Sequence, residues 1–130
     1  MPSVYTTVDS NGVRIIKNDL NELHCLCGPA IIRPDGSKEY WRNDKRHRSG
    51  GLPAVIHANG TLEYWENNQL HRIGGPALDQ ADGEKYWFYR GKQSCLTGPA
   101  YTNSNGWSFW YIDGVEYSEK DWADLVKARS

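Results

Sequence analysis

Residue types that bind zinc lie together near the start of the chain, at His24, Cys25 and Cys27. Cys95 could supply a fourth ligand of the kind that zinc prefers. Paired cysteines of zinc sites are usually separated by about two to four residues, whereas a single residue separates Cys25 from Cys27. Both cysteine segments are also copies of one repeated motif, which favours a structural role. We therefore expect no bound metal and no other cofactor.

Two histidine-arginine pairs form the next candidate site. His47-Arg48 and His71-Arg72 recur in successive repeats, with His24 partly in register. If stacked, the pairs could form a cationic stripe that binds phosphate or carboxylate. Alternatively, these side chains donate hydrogen bonds to carbonyls left free at a tight Gly-Gly-Pro bend, because buried polar groups need partners. The sequence favours this second interpretation.

Six Trp and eight Tyr residues provide a third candidate site. Four aromatic pairs recur in order: Tyr40-Trp41, Tyr64-Trp65, Trp87-Phe88 and Trp110-Tyr111. Successive strand residues point to opposite faces, so the first members should form one row and the second members another. One row could remain exposed and bind a partner, since Trp, Tyr and Arg dominate binding hot spots. Alternatively, both rows pack internally and replace a missing core.

The sequence thus predicts binding through the aromatic rows and the adjoining histidines and arginines. The predicted residues are Tyr40, Trp41, Tyr64, Trp65, Trp87, Trp110, His47, Arg48, His71 and Arg72. Catalysis is not predicted, because no Ser or Cys nucleophile is paired with a local base, and neither a carboxylate pair nor a phosphate loop stands out. The net charge of −1 lacks the basic excess of a general nucleic-acid binder.

These candidate residues belong to a tandem repeat with a period of 23–24 residues. Turn glycines recur at Gly12, Gly36, Gly60, Gly83 and Gly106, and Pro-Ala steps begin at Pro29, Pro53, Pro76 and Pro99. A second turn follows each aromatic pair, at Asn43-Asp44, Asn67-Asn68, Arg90-Gly91 and Asp113-Gly114. Several features that recur in one order at one period indicate a repeat protein.

One repeat, from Pro53 to Gly75, predicts the local structure most clearly. Its elements are a strand at Pro53–Ala58, a turn at Asn59-Gly60, a return strand at Thr61–Glu66, a turn at Asn67-Asn68 and an extended piece at Gln69–Arg72. Asn-Gly is typical of a two-residue hairpin turn in which both residues adopt positive φ. The fold predicted is all-β: an elongated antiparallel meander in which each repeat mainly contacts its neighbours.

The chain is predicted to form one repeat domain over residues 1–130 with distinct ends. A degenerate N-terminal cap covers about 1–28, and repeats 1 to 4 cover about 29–52, 53–75, 76–98 and 99–117. Ser118 followed by Asp121 resembles a helix capping box. Trp122 and Leu125 then fall on one helical face. A C-terminal helix over about 119–128 is therefore expected to cover the open edge of the sheet.

The stretch WRNDKRHRSG, from Trp41 to Gly50, resembles a variant of the MORN repeat, whose core reads roughly W-x-x-G-x-x-x-G-x-G. "YW…HR..GGPA" units ending in "WYIDGVEYSEKDW" resemble the MORN-variant proteins encoded by bacteriophages and large DNA viruses, over about residues 11–122. The resemblance implies binding of proteins or lipid headgroups, and one bacterial family of this kind is described as antitoxins. Asp44 and Asn68 depart from the pattern by replacing a turn glycine, and Gln93-Ser94 replaces His-Arg in the third linker.

The expected function is therefore non-catalytic binding of another protein, with a phage or viral protein that inhibits a host defence protein as the leading hypothesis. The alternatives are a sponge for a nucleotide or other small ligand, which a cleft lined by Trp and Arg would support, and an antitoxin-like protein. Three cysteines and no signal-peptide pattern favour a cytoplasm, that of the host cell if the protein is viral. No apolar run is long enough to span a bilayer, so no membrane partner is expected. An open sheet edge could also join copies of the chain.

Overall fold

The computed structural model describes residues 4–129, which form short strands and one helix. In chain order the elements are β1 (Val4–Val8), β2 (Arg14–Asn18), β3 (Ile31–Ile32), β4 (Lys38–Glu39), β5 (Trp41–Arg42), β6 (Lys45–Arg46), β7 (Val55–Ile56), β8 (Leu62–Glu63), β9 (Trp65–Glu66), β10 (Gln69–Leu70), β11 (Leu78–Asp79), β12 (Lys85–Tyr86), β13 (Phe88–Tyr89), β14 (Lys92–Gln93), β15 (Tyr101–Thr102), β16 (Ser108–Ile112), β17 (Val115–Tyr117) and α1 (Glu119–Ala128).

Eleven of these strands form one antiparallel sheet, in the order β1-β2-β3-β4-β7-β8-β11-β12-β15-β16-β17. The remaining strands form three small hairpins, β5–β6, β9–β10 and β13–β14, which lie in the chain between strands of the main sheet. Within residues 4–129 the sheet is not closed, since β1 pairs only with β2 and β17 only with β16. This architecture confirms the predicted all-β meander with a C-terminal helix.

The turn at Asn59-Gly60 differs from its prediction. Gly60 adopts a φ of +95°, but Asn59 is not among the residues with positive φ. The loop closes through a bond from Gly60 N to His57 O at 3.0 Å and one from His57 N to Thr61 O at 2.9 Å. Asn59 Oδ1 accepts from Thr61 N at 2.9 Å, which holds Asn59 in the right-handed part of the turn. The loop therefore has three residues and one left-handed glycine.

Two-residue turns with paired positive φ occur instead at the second turn of each repeat. Asn67 and Asn68 have φ values of 49° and 66°, and Asn43-Asp44, Arg90-Gly91 and Asp113-Gly114 are alike. Asn and Asp tolerate this conformation better than other side chains, which explains how they replace the expected glycine.

Strand register assigns the side chains of the main sheet to two faces. Cross-strand partners place one series on what we call the front face: Ile31, Glu39, Val55, Glu63, Leu78, Tyr86, Tyr101 and Phe109. The alternate residues form the back face: Ile32, Lys38, Ile56, Leu62, Asp79, Lys85, Thr102 and Ser108. The series on the front face changes from aliphatic and acidic residues to aromatic residues along the array.

The core runs along the array as a row of alanines. Ala30, Ala54, Ala77 and Ala100 are each 0% exposed. Each alanine carbonyl accepts a backbone bond from the preceding unit at 2.6–2.8 Å. We call this series the alanine row. Because neighbouring backbones approach so closely there, only a side chain as small as that of alanine fits at these positions.

The linkers between repeats correct one sequence assignment. His47 N and His71 N donate to the carbonyls of Tyr40 and Tyr64, and Ser94 N donates in the same way to Trp87 O at 3.0 Å. Ser94-Cys95 therefore occupies the place of His-Arg in repeat 3. The prediction that Gln93-Ser94 does so was wrong by one residue.

Helix α1, Glu119–Ala128, confirms the predicted bounds. Ser118 Oγ accepts from Asp121 N at 3.1 Å, as a helix N-cap does. The Trp122 ring lies 4.6 Å from the Trp110 ring, and its Nε1 donates to Cys95 O at 2.8 Å. Trp122 therefore fixes the helix to repeats 3 and 4.

Candidate binding surfaces

In repeats 1 and 2 the front face carries an ionic and aromatic cluster. Glu39 is only 5% exposed and accepts from Trp41 Nε1 at 3.0 Å and from Arg33. The Arg46 guanidinium lies 3.5 Å from Glu39 and between two indole rings, 5.0 Å from Trp41 and 5.2 Å from Trp65. Burial alone would raise the pKa of Glu39, but its bonds to Arg33 and Trp41 and the charge of Arg46 lower it overall. This carboxylate is therefore already satisfied within the chain.

Glu63 repeats the arrangement in repeat 2. It accepts from Trp65 Nε1 at 2.8 Å and contacts His57 Nε2 at 2.5 Å. Arg33 and His57 thus play equivalent parts, and the second aromatic row (Trp41, Trp65, Phe88, Tyr111) begins with two indoles held by carboxylates.

Arginines cover the other aromatic row, Tyr40, Tyr64, Trp87 and Trp110, in its first half. The Arg48 guanidinium lies 3.9 Å from the centre of the Tyr40 ring, and that of Arg72 lies 4.0 Å from the Tyr64 ring. Each arginine also donates through Nη1 to a proline carbonyl at 3.1 Å, Pro53 or Pro76. This is the bonding to carbonyls at the Gly-Gly-Pro bend that the sequence favoured.

The histidines act differently from that expectation, because they accept rather than donate. Nδ1 of His47 accepts from Asn67 N at 3.0 Å, and Nδ1 of His71 accepts from Arg90 N at 2.8 Å. In the same way, His24 Nδ1 accepts from Asn43 N of repeat 1 at 3.0 Å, and Ser94 Oγ accepts from Asp113 N at 3.1 Å. Each of these groups therefore clamps one repeat to the turn of the next.

Neither aromatic row is exposed. Tyr64 is buried at 6% exposure, and the other seven side chains of the two rows are half-buried. This placement agrees with the interpretation in which both rows pack internally. Binding by Tyr40, Trp41, Tyr64, Trp65, Trp87 or Trp110 stays a prediction.

A continuous aromatic surface with exposed rings lies instead at the C-terminal end of the front face, in residues that the sequence analysis missed. Tyr86, Tyr101, Phe109 and Trp107 follow one another with ring centres 4.8, 5.6 and 6.5 Å apart. Trp107 is 63% exposed and Phe109 is 38% exposed. We call these four residues the aromatic patch. The available signal was departure from the repeat, because Phe109 stands where repeats 1 and 2 have glutamate.

Carboxylates border the aromatic patch. Tyr101 donates through its hydroxyl to Glu84 Oε1 at 2.6 Å, and this bond raises the pKa of Tyr101. Burial, together with the charges of Glu84 and Asp82, raises the pKa of Tyr86. The border of the aromatic patch is therefore acidic on the side of repeat 3.

A cavity of about 570 Å³ opens over Trp87. We call it the Trp87 cavity. The equivalent grooves at Tyr40 and Tyr64 have only about 200 and 170 Å³. The walls of the Trp87 cavity include Arg72, Tyr89, Cys95 and Arg129. This is a cleft lined by both Trp and Arg, the feature that would support small-ligand binding.

The cysteines lie in different surroundings: Cys25 is half-buried, Cys27 exposed and Cys95 buried. Among residues 4–129, no group of three or more His, Cys, Asp and Glu side chains is placed to hold a metal ion. The candidate zinc ligands are therefore not brought together. Within the same residues, α1 is too short and too polar to cross a bilayer.

Comparison with protein-family models, with curated proteins and with solved structures gave no match. The likeness to MORN-variant repeats therefore remains a resemblance in sequence pattern.

Proposed function

We propose that this chain is a non-catalytic protein-binding module whose interface is the aromatic patch. The observation that carries the proposal is the exposure of Trp107 and Phe109 beside Tyr101 and Tyr86 in one continuous surface. Tyr86 and Tyr101 are half-buried like the aromatic rows, whereas Trp107 and Phe109 are exposed. Contiguous exposed aromatic surface is typical of protein interfaces, where Trp and Tyr supply much of the binding energy.

The border of the patch defines the partner's chemistry. Glu84 and the exposed Asp82 lie beside Tyr86 and Tyr101. The basic residue next in sequence, Lys85, points to the back face and pairs there with Asp79 at 2.7 Å. A partner surface with an apolar centre and lysine or arginine at one side complements this arrangement.

The biological setting of the proposal rests on the sequence resemblance. Similar repeat patterns occur in proteins of bacteriophages and large DNA viruses, so the proposed partner is a host protein whose activity is blocked in the host cytoplasm. The central rows, with His47, Arg48, His71 and Arg72, then support the interface by holding the array together.

The test compares proteins captured from a host lysate by three forms of the chain. Trp107→Ser with Phe109→Ser removes the exposed rings of the patch, and Leu20→Ser changes an exposed apolar residue outside it, which is 78% exposed. A protein retained by the wild type and by Leu20→Ser, but lost by the patch variant, supports the proposal. Retention of every captured protein by a patch variant that still melts cooperatively would refute it.

The acidic border gives a second readout. Asp82→Asn should weaken binding of that same partner and reduce its dependence on salt concentration, because screened charge pairs contribute to association. An unchanged salt dependence would show that the partner does not contact Asp82 through lysine or arginine.

A further inference from the structure

We propose that the Trp87 cavity binds a small ligand built from a flat aromatic ring and one anionic group, the chemical class of a nucleoside monophosphate. This site is separate from the proposed protein-binding surface. None of the four residues of the aromatic patch lines the cavity.

The cavity exists because repeat 3 lacks the arginine of repeats 1 and 2. Cys95 stands at the position of Arg48 and Arg72, and its side chain is too short to reach over the ring. At Gly75, a Cβ atom would lie 2.6 Å from the Arg72 guanidinium carbon, whereas a Cβ at the equivalent Gly98 would meet nothing within 4 Å. The space over Trp87 is thus the space that a guanidinium occupies elsewhere.

That origin defines the shape of the ligand. In repeats 1 and 2 a flat group lies about one stacking distance, 3.9–4.0 Å, from the aromatic ring. In repeat 3 the ring is the larger indole, and Tyr89, Ile73 and Leu96 extend an apolar wall beside it. A flat aromatic ring matches these walls better than a guanidinium does, because both of its faces are apolar. A volume of about 570 Å³ accommodates a ring with substituents.

The charges at the rim define the second part of the ligand. Arg72 and Arg129 both line the cavity, and Asp113 is the one acidic residue among its lining residues in the described range 4–129. Arg129 lies 3.8 Å from Asp113, and both side chains are more than half exposed, so the pair is loose. Its guanidinium is therefore able to turn to a phosphate or carboxylate, which arginine binds through two donors. Because two arginines already lie at the rim, a ligand with a positively charged group is disfavoured.

The experiment is a calorimetric titration of the full chain with adenosine monophosphate, with adenosine and N-acetyl-arginine amide as comparison probes. Cys95→Arg restores the missing guanidinium and fills the cavity, while Cys95→Ser preserves the space. We expect the monophosphate to bind the wild type and Cys95→Ser and not to bind Cys95→Arg. Adenosine should bind about tenfold more weakly, the loss of one charge-assisted contact.

Arg129→Gln separates the two parts of the ligand. It should weaken the monophosphate about tenfold and leave adenosine unchanged, because only the anionic group contacts this side chain. Equal affinity for monophosphate and adenosine, or binding by Cys95→Arg equal to the wild type, would overturn the proposal. So would an absence of monophosphate binding, or preference for the arginine probe, which would assign the cavity to a partner's arginine.

The patch variant, Trp107→Ser with Phe109→Ser, keeps this test independent of the proposed function. It should bind the monophosphate as the wild type does, since both substituted residues lie on the front face. If it loses both the partner and the ligand, the two surfaces are one site and the inference fails.

Discussion

Repeats 1 and 2 differ from repeats 3 and 4 in how they treat the same positions. In the first half, glutamates hold indoles on the front face, and Arg48 and Arg72 cover tyrosines. In the second half, Phe109 replaces glutamate and becomes exposed, while Cys95 replaces arginine and leaves a cavity. The turns of both halves have left-handed residues at equivalent positions. In the first half these positions carry contacts within the chain, and in the second half they carry the two surfaces that we propose to bind a partner and a ligand.

The largest expected effect comes from removing aromatic pairs in the first half. Trp41→Ala with Trp65→Ala, and separately Tyr40→Ala with Tyr64→Ala, should each lower the free energy of unfolding by on the order of 4 kcal/mol, because both pairs are packed. Chemical denaturation measures this.

Partner binding by the same two double variants provides the control. Loss of binding in one pair, in a protein that still melts cooperatively, would place the interface on that row and contradict the division into halves.

A smaller effect is expected from equivalent positions on the front face. Glu39→Ala should cost about 2 kcal/mol, since it leaves Trp41 and two arginines without their carboxylate. Phe109→Ala, at the same place in repeat 4, should cost less than about 1 kcal/mol because the ring is exposed. Equal losses in thermal denaturation would mean that Phe109 is structural.

The turn glycines test whether the backbone is alike in both halves. Gly60 and Gly106 have φ values of +95° and +87°, and a Cβ at either would meet nothing within 4 Å. Gly60→Val and Gly106→Val should therefore each cost about 1–3 kcal/mol from backbone strain alone. A markedly larger loss at one of them, measured by melting temperature, would show that the two turns are not equivalent.

The smallest effect concerns pH. Burial, and then the charge of Arg42, lower the pKa of His47 below 6.5, with Glu66 opposing. As pH falls, the unfolded chain therefore takes up a proton on His47 at a higher pH than the folded chain does. The contribution of unprotonated His47 to the free energy of unfolding is complete above pH 6.5 and is lost as pH falls through the lower pKa of the folded state.

The matched variant is His47→Ser. Serine already has this role in repeat 3, where Ser94 Oγ accepts from the turn residue Asp113 N. His47→Ser should reduce the difference in unfolding free energy between pH 7.5 and pH 5. The same difference in both proteins would show that His47 does not contribute.

The sequence predicted the elements whose signals are local. Helix α1 was placed correctly because Ser118 caps it and apolar residues follow at helical spacing. The turn at Asn59-Gly60 was assigned wrongly because the bond from Thr61 N to the Asn59 side chain competes with the second positive φ. Strand β1 was not predicted, although VYTTV is rich in residues that favour strands.

The candidate site was less predictable for a different reason. Searching for repeats emphasises what the units share, and shared residues such as Tyr64 and His71 are those that hold units together. Trp107 and Cys95 differ from their counterparts, and the sequence analysis did not consider Trp107 and weighed Cys95 only as a zinc ligand or a copy of the repeated motif. Which departures expose a ring or open a cavity depends on three-dimensional contacts that spacing does not record.

The alanine row has a consequence for the length of the molecule. Every junction joins one unit to the next through the same small side chain and the same backbone bond, whatever the surface residues are. A unit inserted or deleted as a whole would therefore meet compatible neighbours on both sides. Such a chain resembles a linear polymer, in which stability increases with the number of junctions and surface chemistry can change one unit at a time.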